Sequence, residues 1–501
     1  VWEDRGGALI ILFVALPLVV AGVLPVIGRL SRRVVPDLLA NAALLFLVVY
    51  AAAAGRPLIG NGPVVQQFAL LGETVNLRLA LDGFSLLMLF AVSLVGLCVS
   101  LFSIDYMERY GAKANYYALL LVMIAGMNGL VLSTDLFNVY VFLEVAAVAS
   151  YSLVAYGRGY DELEAAFKYL MLSVVASAAI VISIAVLFGM AGDLSFAGVA
   201  RGLQDLNAGP VVGIAAALFI MGFGLKAALV PFHAWLPDAH PSAPAPISAV
   251  LSGLLIKVSG VYALTRIFLN VFGLTPTLSA VLMVLGTVSL VAAAFLALGQ
   301  RDIKRMLAYS SISQVGYIVL GIGLGTPLGI AGGLFHLFNH ALAKGLLFLT
   351  SGSIQQSTGT RNLDEMGGLA RRMPFTATTN LIGSLSIAGV PPLNGFWSKL
   401  LIIIALIQAG HPVYALVAVL ASVLTLWYYL LIQRKAFFGK LNERWAAVKE
   451  APFWMTAATV LLAALCVAVG LFFSFALKTW IQPAAGVLAA GVQTVIRSWG
   501  W

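Results

Sequence analysis

Long apolar runs recur along almost the whole sequence, and they limit the fold more than any other feature. A run of about 18 or more predominantly apolar residues can cross a lipid bilayer as an α-helix. Hydrophobic residues make up 61% of the chain and charged residues only 10%, and the mean hydropathy is +1.01. No stretch between the runs is long enough for a separate soluble domain. The sequence therefore predicts an all-α polytopic membrane protein.

Fourteen candidate membrane helices follow from these runs and their polar or turn-forming flanks. Their predicted bounds are 8–27, 36–54, 84–104, 115–132, 135–156, 163–189, 210–231, 245–269, 277–299, 305–325, 328–351, 376–409, 410–433 and 454–478. The final stretch, 480–501, carries Trp480, Trp499 and Trp501, which suit a membrane interface. We predict that this stretch is amphipathic at most.

Basic residues outside the helices predict the orientation. Most of them, including Lys113 and Lys304, are placed in loops after odd-numbered helices, whereas few, such as Arg266, are placed on the opposite side. Basic loops stay in the cytoplasm, so both termini are predicted to face away from the cytoplasm of a prokaryotic plasma membrane. This scattering explains the net charge of +9 better than a nucleic-acid partner would.

Setting aside the basic residues in loops and at helix ends leaves five, and all of them are lysines inside predicted helices. They are Lys168, Lys226, Lys257, Lys344 and Lys399. Ionisable groups within a bilayer are costly and usually functional. A buried lysine can release its proton whereas arginine keeps it, so the choice of lysine indicates groups that exchange protons. Lys168 lies about one turn inside its helix and can extend to the surface.

Glu144 is the clear acidic counterpart of these lysines. It follows Asp135, at the predicted helix start, by nine residues or about 13 Å, which places it near the bilayer midplane. Lys226 is its candidate partner. The two can form a static ion pair that fixes helix packing, or a pair whose protonation responds to nearby charge. The other intramembrane lysines favour the second interpretation.

His336, His340 and Lys344 follow one another at four-residue intervals and so share one helix face. The two histidines could bind zinc, but no third ligand accompanies them, so we predict no metal site. A packed histidine bonded to a neighbouring hydroxyl is one alternative. A proton relay is favoured, because imidazole titrates near neutral pH and Lys344 continues the face.

Two helices are interrupted by proline. Five prolines, from position 231 to position 246, follow Lys226 where the seventh helix ends, and the twelfth helix contains AGVPPLNGFWSK, which ends at Lys399. Ordinary proline kinks are the alternative, but broken helices at corresponding positions favour two inverted five-helix repeats. The predicted units are 1–114, 115–269 (helices 4–8), 270–433 (helices 9–13) and 434–501. His233, Asp238 and His240 lie near the first break, where a structural or proton-uptake role is expected.

The sequence contains no recognisable redox or nucleotide site of its own. Cys98 and Cys466 lie far apart in apolar runs, and an iron–sulfur cluster needs four thiolates. Dinucleotide and phosphate-loop glycine motifs are also missing from it. We therefore expect no cofactor in this chain, so any electron chemistry belongs to partner subunits and enzyme membership depends on the complex.

Three segments carry a family resemblance that extends over essentially the whole chain. GFGLKAALVPFHAWLPDAHPSAPAPISAVLSGLLIKVSGVYALTR (222–266), FHLFNHALAKGLLFLTSG (335–352) and GVPPLNGFWSK (389–399) resemble the proton-conducting antiporter-like subunits. Such subunits occur in respiratory complex I, in multisubunit Mrp cation/proton antiporters and in membrane-bound energy-converting hydrogenases. The resemblance implies fourteen helices, two inverted repeats and a hydrophilic axis through the membrane centre.

The resemblance also implies a role for each motif residue. Glu144 and Lys226 would form the ion pair whose protonation responds to nearby charge. Lys257 would be the central proton-transfer site and Lys399 the terminal one. The connection between these lysines would be formed by His336, His340 and Lys344. Lysine at position 399 and the short tail fit the D-type subunit of an Mrp Na⁺/H⁺ antiporter best. A pumping subunit of a hydrogenase or complex I type is the alternative. Either identity implies other membrane subunits as partners, with protons and sodium as the transported ions.

Overall fold

The structure, a computed structural model, is mostly helical and describes residues 9–30, 34–61, 63–69, 76–205 and 209–499. The first seven helices are α1 (Leu12–Leu30), α2 (Val34–Asn61), α3 (Gly83–Tyr106), α4 (Lys113–Leu132), α5 (Leu136–Val154), α6 (Tyr160–Ala191) and α7 (Phe196–Asp205). The next five are α8 (Pro210–Lys226), α9 (Leu236–Ser242), α10 (Ala245–Val271), α11 (Pro276–Leu298) and α12 (Ile303–Gly323). The last five long ones are α13 (Pro327–Thr358), α14 (Pro374–Ala388), α15 (Asn394–Gln408), α16 (Pro412–Ile432) and α17 (Phe453–Leu471).

Eleven helices of the described part are long and apolar enough to cross a membrane, which supports the predicted multi-pass membrane protein. They are α1 to α6, α10 to α12, α16 and α17. The 32-residue α13 lies outside this set, since His336, His340 and Lys344 lower its hydropathy. It nevertheless lies at the centre of the bundle, with nearly its whole length buried.

Two parts of the fold go beyond what the sequence predicts. The description all-α is wrong in detail, because β1 (Val64–Ala69) and β2 (Asn76–Leu81) form an antiparallel hairpin after α2. The segment after α17, whose helicity the sequence leaves open, contains a π-helical turn at Leu477–Ile481 and short helices at Gln482–Ala489 and Val492–Ser498. Trp501 lies outside the described residues. Both parts are short, and their patterns are too brief to distinguish from loops.

Local capping explains where several long helices begin. The Asp82 side chain accepts hydrogen bonds from the backbone N–H groups of Phe84 and Ser85. The Ser85 hydroxyl oxygen accepts one from the backbone N–H of Asp82, which completes a capping box before α3. The Asp302 side chain caps α12 by accepting hydrogen bonds from the backbone N–H groups of Lys304 and Arg305. Thr326 caps α13, whose first residue is a proline. These side chains satisfy backbone donors that a helix start leaves free.

Both predicted breaks are present. The first separates α8 from α9 at 227–235, and the second separates α14 from α15 at 389–393. Gly389 has a positive φ of 85°, and a Cβ there would lie 3.1 Å from the Lys399 side chain. Gly260 of α10 packs against the first break, where a Cβ would lie 2.4 Å from the Ala227 backbone. Glycine at these positions therefore lets neighbouring segments approach the broken helices closely.

A buried ion pair connects the hairpin side of the bundle to α10. Arg266 donates from both terminal nitrogens to the two carboxylate oxygens of Asp82, at 2.9 Å each. The guanidinium also bonds Tyr262 and Asn270, and lies about 5 Å from the ring centroids of Phe84 and Trp499. Arg266, predicted among the basic residues on the side away from the cytoplasm, is instead buried, and a bidentate carboxylate and aromatic faces compensate for its desolvation.

Two more basic residues assigned to loops are also buried. Lys113 pairs with Asp37 at 2.7 Å and donates to the Ile104 carbonyl, which connects α4 to α2 and α3. Lys304 donates to the carbonyl of Ala243 at 2.8 Å. A count of charges in predicted loops misses such contacts, because it assumes that helix ends face water.

We expect Arg266→Met to lower the melting temperature of the purified protein by an amount equivalent to about 3–5 kcal/mol, because Asp82 is left buried without its cation. The control is Arg301→Ala, which removes an exposed pair to Asp364 and should cost at most about 1 kcal/mol. The double variant Asp82→Asn/Arg266→Met should recover part of the loss. Equal melting temperatures for Arg266→Met and Arg301→Ala would contradict this role.

Candidate functional site

Glu144 and Lys226 come together at the end of α8. The Lys226 amine lies 3.7 Å from the Glu144 carboxylate and donates to Ser173 of α6 at 2.5 Å. Ser177, one turn further along α6, donates to the Glu144 carboxylate. Tyr151 donates to Ser173 as well. The two charges are therefore held near each other through hydroxyl groups that can bridge them.

The two partners differ in their surroundings. The Lys226 side chain is 3% exposed, whereas that of Glu144 is 29% exposed. Glu144 belongs to the middle of α5, a candidate membrane span, so its carboxylate reaches the lateral surface of the chain. A carboxylate in contact with lipid is costly, so a polar covering is expected at this place.

Lys257 lies on α10, which is enclosed by other helices along its whole length. The stretch Leu251–Tyr262 is π-helical, a form that often marks functional positions. The Lys257 amine donates to the carbonyl of Ser252 within this stretch, and Ser252 shares a 2.7 Å hydrogen bond with Ser311 of α12. The π-helical winding thus supplies a backbone acceptor for a fully buried amine.

Lys344 is held between α12 and α16. Its amine donates to the Leu307 carbonyl at 2.9 Å and to the Tyr429 hydroxyl at 3.0 Å. Tyr429 in turn shares a hydrogen bond with Ser310, and Tyr428 donates to the same serine. The hydroxyl groups of α12 and α16 therefore form a polar cluster around this amine.

His336 has a polar partner on each ring nitrogen. Its Nδ1 lies 3.0 Å from the Ser398 hydroxyl, and its Nε2 lies 3.1 Å from the Gln314 side-chain oxygen. Ser398 directly precedes Lys399 on α15. The His336 imidazole therefore connects α13 to the second broken helix.

His340 differs from its neighbour His336. It is fully buried, and neither ring nitrogen has a hydrogen-bond partner within the described part of the chain. The two imidazoles are parallel, with centroids 6.2 Å apart. Buried polar groups without protein partners are usually satisfied by ordered water. His340 is thus a position where water can join the polar groups on either side.

Lys399 lies beyond the second break, with its side chain almost completely buried. Its amine is 3.5 Å from the carbonyl of Ala388, the last residue of α14, and 4.6 Å from the centroid of the Tyr317 ring. The helix break leaves that carbonyl without a helical donor, and the ring adds a cation–π contact. The interruption of the helix therefore helps to solvate the lysine.

The accessory residues separate into two groups. Lys168 is 49% exposed and pairs with Glu164 at 2.7 Å, and Asp238 pairs with Arg305 at 3.1 Å, so both belong to the bundle surface. His233 is half-buried near the first break. His240 lies in α9, directly after the break, fully buried against the Phe348 ring, with centroids 4.6 Å apart.

Several partners of these residues were not predicted individually. Gln314 and Tyr317 lie in YSSISQVGY (309–317), a segment whose small and hydroxylated residues suit close helix packing. The sequence pattern of α12 does not indicate which residues of other helices Gln314 and Tyr317 contact. Among the described residues, no group of three or more His, Cys, Asp or Glu side chains is arranged to hold a metal ion.

Two family models match the chain. The model described as NADH:quinone oxidoreductase/Mrp antiporter, TM matches residues 133–425, more than half of the chain. The model described as NADH-Ubiquinone oxidoreductase (complex I), chain 5 N-terminus matches residues 70–117. The first match contains every candidate residue from Glu144 to Lys399.

Individual proteins resemble the chain over most of its length. The N subunit of the NADH-quinone oxidoreductase of Desulforudis audaxviator is 35% identical over 438 residues, which cover 86% of this chain and 87% of that protein. The D subunit of the Na⁺/H⁺ antiporter of Alkalihalophilus pseudofirmus is 33% identical over 435 residues, with the same coverage. The solved Mrp complex from Dietzia contains a chain with 30% identity and a TM-score of 0.90, covering 97% of this chain and 99% of that one.

Proposed function

We propose a function on the premise that this chain belongs to the NADH:quinone oxidoreductase/Mrp antiporter transmembrane family. The chain is a proton-translocating membrane subunit of a multisubunit complex, namely an Mrp-type Na⁺/H⁺ antiporter. The observation that carries this proposal is the Glu144–Lys226 pair, followed by three further buried lysines and two buried histidines in neighbouring helices. Such a set is costly in a bilayer and is suited to transferring protons.

The proton path begins at Glu144 and Lys226, where Ser173 and Ser177 bridge the two charges. It continues through Lys257 and Lys344, with His340 and His336 between the lysines, and ends at Lys399. Water beside His340 supplies the connection that the protein groups lack. His233 and His240 assist near the first break, while Lys168 and Asp238 stabilise the surface there.

A neighbouring subunit covers Glu144. The carboxylate is exposed by 29% at the lateral surface, where lipid cannot solvate it. A polar or basic group of another membrane subunit would solve this problem and would also sense the charge of the pair. This arrangement supports the assignment to a complex instead of a carrier that acts alone.

The finer architecture follows from the same proposal. The eleven long apolar helices, together with α13 and the two broken pairs α8/α9 and α14/α15, give fourteen membrane crossings. Residues 115–269 and 270–433 form two inverted five-helix repeats, preceded by 1–114 and followed by 434–501. The chain lies in a prokaryotic plasma membrane, and both termini face away from the cytoplasm, as the basic loops indicate. The chain itself binds no cofactor.

A redox-driven pump is the second candidate, in which the same path belongs to a complex I or hydrogenase assembly. The specific observation in its favour is the 35% identity to an NADH-quinone oxidoreductase subunit over 86% of this chain. In that case the chain would be part of a translocating oxidoreductase without performing electron chemistry.

Purification of the native complex distinguishes the two candidates. With an affinity tag on this chain, we expect mass spectrometry to identify only membrane subunits, and vesicles of the complex to exchange Na⁺ for H⁺. Co-purification of iron–sulfur or nickel-binding subunits in stoichiometric amounts would overturn the antiporter assignment and support the redox pump.

Variants of the path test the mechanism in either complex. Glu144→Ala and Lys399→Ala should each reduce coupled transport at least about a hundredfold, because proton-transfer groups contribute about 10²–10⁴-fold. Lys226→Arg should reduce coupled transport to a similar extent, because arginine cannot release its proton. Transport is measured in vesicles with a pH-sensitive dye.

The matched control is Lys168→Ala, which removes a lysine from a helix surface and should leave transport within about twofold. Subunit composition of every variant is compared with the parent complex, so that loss of assembly is recognised. Normal transport by assembled Lys226→Arg would make this lysine a structural partner of Glu144 and contradict the relay.

A further inference from the structure

A cleft of about 590 Å³ lies between α3, α13, α17 and the segment that follows α17. Its lining consists of hydrophobic and aromatic side chains, including Phe90, Phe338, Ala468 and Trp480. The proposed proton path does not use it. Its volume falls within the range of about 300–1,000 Å³ typical of ligand sites.

The cleft is open toward the lateral surface of the chain. Phe472 and Phe475 line it and are 67% and 65% exposed. Because α3 and α17 are candidate membrane spans, the medium outside this opening is lipid. Water does not fill an apolar cavity, and an empty one would lose dispersion contacts along its lining. The chemistry of the surroundings therefore selects a hydrocarbon chain.

One end of the cleft has the features of a membrane interface. The Trp480 ring stacks on Phe90 with centroids 4.4 Å apart, and tryptophan is enriched at the headgroup level of membranes. Lys478 lies between the lining residues Ala476 and Trp480, and its side chain is exposed. A basic group beside an apolar cleft matches the two parts of a phospholipid, a phosphate and an acyl chain.

We propose that this cleft binds an acyl chain of a membrane phospholipid, whose headgroup phosphate lies near Lys478. The chain enters between α3 and α17 and contacts α13. The site is separate from the proton path and does not depend on the nature of the transported ion.

The bound acyl chain also supports the helix that carries the relay. Phe335, Phe338 and Leu342 of α13 line the cleft, whereas His336, His340 and Lys344 lie about half a turn away around the same helix. Occupation of the cleft thus packs the back of α13 against hydrocarbon. This consequence rests on the proposed function, whereas the lipid site itself does not.

Photolabelling of the intact complex tests the site. The complex is reconstituted in vesicles of phosphatidylethanolamine and phosphatidylglycerol that contain phosphatidylglycerol with a diazirine in one acyl chain. After illumination, labelled peptides are identified by mass spectrometry. We expect labels on the peptides of α13 and α17 that line the cleft.

Two matched variants make the test specific. Ala468→Phe fills the cleft and should lower this labelling about tenfold. Ala464→Phe adds the same ring one turn earlier on α17, at an exposed position outside the lining, and should label like the parent complex. Lys478→Gln should lower labelling by phosphatidylglycerol more than labelling by a phosphatidylcholine probe of the same design.

The labelling does not require transport, so failure of the proposed function would leave its result unaffected. Equal labelling of Ala468→Phe and Ala464→Phe would overturn the lipid site. Lipid labels on a neighbouring subunit, with the cleft peptides of the parent complex left unlabelled, would show that a protein partner fills the cleft, and would also overturn it.

Discussion

The desolvation of lysine amines inside a bilayer is the constraint on which the rest of the structure depends. Each amine obtains acceptors where the regular backbone is interrupted or a hydroxyl is nearby. Lys257 uses a carbonyl in a π-helical stretch, and Lys399 uses the carbonyl at the end of α14. Breaks in helices normally cost backbone hydrogen bonds. At the second break, the carbonyl of Ala388 that the interruption leaves free accepts from the Lys399 amine and helps to solvate it.

This constraint also explains why α13 is enclosed. A helix with three basic side chains on one face cannot contact lipid there, so neighbouring helices must supply polar groups to that face. Gln314 and Ser398 do so for His336, and Tyr429 does so for Lys344. The opposite face of α13 remains apolar and packs with α3 and α17. The position of the helix in the bundle therefore follows from the chemistry of one face.

Much of this organisation could be predicted from the sequence, because long apolar runs determine helices and motifs determine the family. The family match confirms the predicted membership, and the predicted helix bounds lie within a few residues of those observed for most spans. The partners of the buried charges could not be predicted. Arg266 and Asp82 are separated by 184 positions, and only the folded bundle shows that they meet. The roles of the site residues remain predictions.

The buried lysines of the proposed path act on one another electrostatically, and this limits how the path can work. Lys226 lies beside a carboxylate, whereas Lys257, Lys344 and Lys399 contact neutral acceptors. Two like charges 10 Å apart repel by about 1.7 kcal/mol at an effective dielectric constant near 20. In the proposed path, a proton on one lysine would therefore disfavour a proton on the next, and a change at the Glu144–Lys226 pair would alter proton occupancy further along. Electrostatics between these groups would thus couple neighbouring lysines of the proposed path without a large movement of the helices.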